Sequence, residues 1–127
     1  MPHMTLEYSA NVGAGLDTET LFNQLHGQLA EAGDLRSQDF KSRIFPVENF
    51  HIGLGHDNAS FVRLNIETFF GKTAEQKQNL SQVALQVLSE HFHQALSNGN
   101  CDIAVQISEL ERASYARVRS SDLAGKV

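Results

Sequence analysis

Two stretches of helical periodicity, each flanked by segments of alternating apolar and polar residues, restrict what this chain can fold into more than any other feature. From Pro2 to Ser9 the period is two, with Met4, Leu6 and Tyr8 on one face and Thr5 and Glu7 on the other, the pattern of a half-buried strand. Leu21, Phe22, Leu25, His26 and Leu29 then recur at helical spacing. They predict a helix over 17–32, with Asp17 as its N-cap and Gly33 as the left-handed residue that closes it. Phe40 to Phe45 reads as a short strand limited by Pro46, a second strand piece is expected over 49–53, and Gly55 to Asn58 reads as a turn. The clearest strand runs from Phe61 to Phe69, with Val62, Leu64, Ile66 and Thr68 opposite Phe61, Arg63, Asn65 and Glu67. Thr73 and Gln76 have capping-box spacing. Leu80, Val83, Ala84, Val87, Leu88, His91, Phe92 and Leu96 predict one long amphipathic helix over 74–97, ended by Asn98-Gly99-Asn100. Ile103, Val105 and Ile107 mark the apolar face of a last strand over 102–108.

The order is strand-helix-strand, twice. Right-handed crossovers put both helices on one face of a four-stranded mixed sheet, an α+β architecture of duplicated β-α-β units. The 127 residues suit one domain, with 113–127 as an extended C-terminal tail. Several apolar side chains fall on the sheet face away from the helices, so a closed homo-oligomer covering that face is expected.

Charge and composition then remove function classes. Fifteen acidic residues against ten basic ones give a net charge of −5, and no basic run exceeds two residues, so no nucleic-acid footprint is visible. No segment is long and apolar enough to span a bilayer, and the opening residues lack the pattern of a secretory signal. With Cys101 as the lone cysteine, expected to be buried and inert, the cytoplasm is the expected compartment. His51 and His56 lack partners at metal spacing, and His91 and His93 cannot share a helix face.

Chemistry enters with Met1-Pro2. Removal of Met1 exposes a rigid secondary amine that can accept a proton, held by the strand that follows it. Ordinary amino termini titrate near ~8. Burial and neighbouring cations both lower that value, toward the range a general base needs at neutral pH. Lys41, Arg43 and Lys72 fall near predicted strand ends and are the candidate cations. Lys72, just before a helix, is a candidate anion clamp because unpaired N–H groups lie beside it, whereas Lys77 reads as a surface residue. His3 points away from Pro2 and is expected to pack or to hydrogen-bond.

Met1-Pro2-His3 leading to Glu7-Tyr8-Ser9-Ala10-Asn11, the segment Lys41-Ser42-Arg43, the strand Phe61-Val62-Arg63-Leu64, and Gly71 to Gln78 together resemble the 5-carboxymethyl-2-hydroxymuconate delta-isomerase family of the tautomerase superfamily. The resemblance implies a homotrimer of chains with two β-α-β units each, sheets facing inward and sites near subunit boundaries. It also implies Pro2 as the catalytic residue and a small carboxylated dienol as substrate. The Pro2 nitrogen takes the 2-hydroxyl proton and returns a proton at C5 to give the 2-oxo-3-ene, with no metal or organic cofactor. Lys41 and Lys72 correspond to the family's two carboxylate-binding arginines. Lysine keeps the charge but not the bidentate fork, and Arg43, on the same strand face as Lys41, is the alternative anchor. Two other functions stay open: a tautomerase of a different enol or keto acid, and a non-catalytic oligomer that binds a ligand.

Overall fold

The computed structural model describes residues 1–55 and 58–123. The first unit is β1 (His3–Ser9), α1 (Thr18–Gly33) and β2 (Lys41–Val47); the second is β3 (Ala59–Phe69), α2 (Ala74–His91), α3 (His93–Asn98) and β4 (Asn100–Leu110). The strands lie in the order β2-β1-β3-β4. β1 pairs with β2 in parallel, β3 with β4 in parallel, and the two units meet through the antiparallel pair β1 and β3. Each parallel pair needs a crossover, and the helices supply it.

Alternation within the strands sets the layers. Met4, Leu6, Val62, Leu64 and Ile66 are buried beneath the helices, against Leu21, Leu25 and Leu29 of α1 and Leu80, Ala84, Val87 and Leu88 of α2. Each such leucine contributes about 1.5–3 kcal/mol through removal from water. Gly33 permits the close approach of α1 to α2, since a Cβ there would lie 3.0 Å from Leu80 Cδ2. Gly13 (φ +94°) follows the same logic in the loop after β1, where a Cβ would lie 2.6 Å from the Tyr8 ring.

Local chemistry fixes the helix ends. Asp17 accepts a hydrogen bond from Thr20 N (3.1 Å) at the start of α1. Thr73 Oγ1 accepts from Gln76 N (3.1 Å) while Gln76 Oε1 accepts from Thr73 N (2.8 Å), the reciprocal box expected for α2. Such a cap is worth about 1 kcal/mol.

Five expectations change. The left-handed residue after α1 is Asp34 (φ 52°), one position later than expected, and Gly33 is the last helical residue. Residues 49–53 form no strand; Gly55 N donates to Ile52 O (2.9 Å) in a turn, and His56 and Asp57 of the expected Gly55–Asn58 turn lie outside the described residues. The long helix is broken at Phe92 (φ −106°, ψ 27°), which is 3% exposed and meets Tyr8 with ring centroids 6.0 Å apart. Burying that ring while redirecting the chain toward β4 costs the helix its continuity. Finally, the tail is not simply extended: a 3-10 turn at Arg112–Ser114 and a short helix α4 (Ser120–Leu123) interrupt it, and its residues 124–127 lie outside the described residues. Cys101 is half-buried rather than buried and packs against the core.

Candidate active site

Strand register decides which side chains meet. His3 lies beside Lys41 on one side and Glu67 on the other, and Thr5 lies between Arg43 and Asn65. Laterally paired residues share a sheet face, so His3, Lys41, Arg43 and Glu67 all stand on the face away from the helices. Pro2 precedes this row. Its side chain is fully buried, and its carbonyl accepts from Lys41 N (3.1 Å), which fixes the start of β1 against the start of β2. Pro2, Lys41 and Arg43 therefore gather at one end of the sheet.

The structure carries Met1, so the Pro2 nitrogen is an amide and the terminal amine belongs to Met1. That amine is 3.5 Å from Asp39 O. Burial is the main force holding its pKa below the ordinary range; Lys41 adds to the effect, Asp39 opposes it, and Arg117 and Arg119 lower it further. The two arginines come from the C-terminal tail, and sequence reasoning missed them. The available signal was three arginines within 112–119, with Arg117 and Arg119 flanking Val118 in strand-like alternation. The tail reaches this end by clasping Phe69. The Arg112 guanidinium lies 4.2 Å from that ring's centroid, and the Tyr115 ring meets it edge-on at 5.1 Å.

His3 supports the cations. Arg43 Nη2 lies 3.1 Å from His3 Nδ1, and because a guanidinium has only donors, Nδ1 must accept. Burial first, then Arg43, the amino terminus and Lys41, hold the His3 pKa below the usual value against the opposing pull of Glu67.

Lys72 has different company. It lies at the same sheet end, just after β3, the direct neighbour of β1, and before α2. The N-terminus of α2 already faces a carboxylate from this chain: Glu109 Oε1 accepts from Lys77 Nζ (2.9 Å) and Oε2 from Gly71 N (3.2 Å). Lys77 lowers the Glu109 pKa most, with the Gly71 and Lys72 main-chain N–H groups helping and burial opposing. Lys77, read from the sequence as a surface residue, is thus half of an ion pair.

At the opposite end of the sheet lies a cavity of about 770 Å³ lined by Asn11, Asn58, Ser60, Phe92, Gln94 and Asn98 among others; among the described residues no lining side chain is charged. Among the described residues no group of three His, Cys, Asp or Glu side chains could hold a metal ion, and no helix is long and apolar enough to cross a membrane.

Two β-α-β units sharing one mixed sheet, with the helices on one face, make the tautomerase fold. The family model for 5-carboxymethyl-2-hydroxymuconate isomerase matches residues 2–120, and the chain belongs to that family of isomerases. It is similar to the Escherichia coli 5-carboxymethyl-2-hydroxymuconate Delta-isomerase, 23% identical over 110 residues that cover 87% of each chain. Among solved structures, a 5-carboxymethyl-2-hydroxymuconate isomerase from Deinococcus radiodurans R1 superposes with a TM-score of 0.84 at 22% identity, covering 94% of this chain and 90% of that one. A fused 4-OT symmetric trimer superposes with a TM-score of 0.68 at 14% identity, covering 98% and 99%.

Proposed function

We propose that this isomerase acts on carboxylated dienols of the 5-carboxymethyl-2-hydroxymuconate type, with Pro2 as its general base once Met1 is removed. The observation that carries the reading is the setting of the chain's terminal amine. Burial and Lys41 already depress the pKa of an amine one residue away, and a freed Pro2 nitrogen inherits those surroundings. With its proton affinity lowered by those surroundings, it takes the 2-hydroxyl proton; the O–H electrons become the C2 carbonyl, the double bonds shift by one position, and C5 receives a proton from the prolinium. Lys41 and Arg43 bind the substrate carboxylates, and His3, accepting from Arg43, holds that guanidinium in position. The chain works as a homotrimer in a cytoplasmic catabolic sequence. The exposed Phe45 and the half-buried Phe61, Phe69 and Leu110 on the open sheet face support assembly, as does the likeness to a trimeric 4-OT.

The test uses protein freed of Met1, verified by intact mass, and follows ketonisation by ultraviolet absorbance. Pro2→Ala is expected to lose about 100- to 10,000-fold in kcat, the usual worth of a positioned base. Unchanged turnover overturns the mechanism. A second reading has its own support: with Glu109 against the Lys72 main chain, that site has a carboxylate already, which favours a substrate with fewer carboxylates. A panel of enols bearing one, two or three carboxylates separates the readings by kcat/KM.

A further inference from the structure

We propose that Arg117, delivered by the C-terminal tail, is a carboxylate anchor of the substrate site at the Pro2 end of the sheet, with Arg119 held behind it. The inference rests on the reading of that end as the active site.

The path of the tail carries it. β4 ends beside β3, where Phe70 N donates to Leu110 O (2.8 Å), and the chain then reverses through a 3-10 turn in which Tyr115 N donates to Arg112 O (3.2 Å). Arg112 and Tyr115 both close on Phe69, which stands on the open face two residues beyond Glu67, the partner of His3. The tail is thus pinned at the same sheet end as Pro2. Two further residues reach at most about 7 Å in extended chain, more than the ~4.8 Å between neighbouring strands, so Arg117 can extend from Tyr115 toward β1. The fields of Arg117 and Arg119 at the terminal amine agree with that path.

The two arginines differ in their partners. Arg119 is held locally: Asp122 Oδ2 accepts from its main-chain N–H (2.9 Å), and Asp122 Oδ1 lies 3.9 Å from its Nη2. Arg117 is exposed and has no carboxylate within ion-pair distance among the described residues. In a chain of net charge −5, an exposed guanidinium with no ion-pair partner among the described residues, at the sheet end that also carries Lys41, gives an anion a reason to come there. It also restores the bidentate fork that Lys41 cannot provide. The ligand class is a planar carboxylate attached to an enol, bound by two parallel N–H···O bonds.

Met-free enzyme carrying Arg117→Gln tests this against Arg117→Lys and Pro2→Ala. Loss of a charge-assisted pair is expected to raise KM for the carboxylated dienol about tenfold or more, with kcat within about threefold. Arg117→Lys should recover part of the loss, and a methyl ester of the substrate should bind parent and Arg117→Gln alike. An unchanged KM in Arg117→Gln, or an equal loss with the ester, overturns the anchor. The Pro2→Ala result is separate: full activity there defeats the base, while the KM of Arg117→Gln still reads the anchor.

Discussion

His26 sits between two aromatic rings, with centroids 6.0 Å from Phe22 and 5.0 Å from Phe40, and its Nε2 is 2.6 Å from Ser42 Oγ. Burial alone lowers its pKa, and burial with nearby cations lowers that of His3. Each therefore holds a proton less readily folded than unfolded. From the ordinary value near ~6.5 downward the unfolded chain binds more protons, so stability falls as pH drops through that window. The thermal midpoint should decrease between about pH 7.5 and 5.5, and His26→Phe should flatten the curve by removing one of the two groups. A slope unaltered in that variant would assign the effect elsewhere. Pro2, Lys41 and Arg43 were legible as single residues because a strand's alternation and the Met-Pro start place them without long-range knowledge. Arg117 and Arg119 were not, since their location depends on Phe69, far away in sequence, capturing Arg112 and Tyr115.

Between β4 and the start of α2, Glu109 acts as an internal anion. Its depressed pKa means that it stabilises the folded chain above the ordinary glutamate value of about 4.3 and that this support is lost as pH falls through the folded value. Glu109→Gln should lower the urea midpoint at pH 7, and by progressively less as the pH is taken down through the folded Glu109 value. A loss that does not shrink with falling pH would mean that the oxygen positions, not the charge, matter. The order and type of the main elements could be read from periodicity, because burial of one face writes period two or 3.6 into the sequence. Their limits could not. Phe92 satisfies the helical spacing and yet ends α2, because its burial against Tyr8 is a tertiary demand. The expected strand at 49–53 failed for the opposite reason: β2 is already the sheet edge, and the residues after Val47 leave it.

For the whole molecule, the open sheet face is the feature that a lone chain leaves unexplained. Phe45, half exposed on the edge strand β2, belongs to it. Sedimentation should give a particle of three times the chain mass, and Phe45→Glu should shift that particle toward smaller species by putting a charge into a covered surface. A parent that sediments as a monomer at micromolar concentration would contradict the assembly. The architecture has one more implication. Antiparallel β1 and β3 relate the two β-α-β units by a pseudo-twofold axis, so each terminus of the sheet is the rotated counterpart of the other. One terminus bears Pro2, Lys41 and Arg43, and the other bears carboxamides around a hollow that has no charged lining among the described residues. The second terminus is thus a ready cradle into which chemistry could be introduced without disturbing the first.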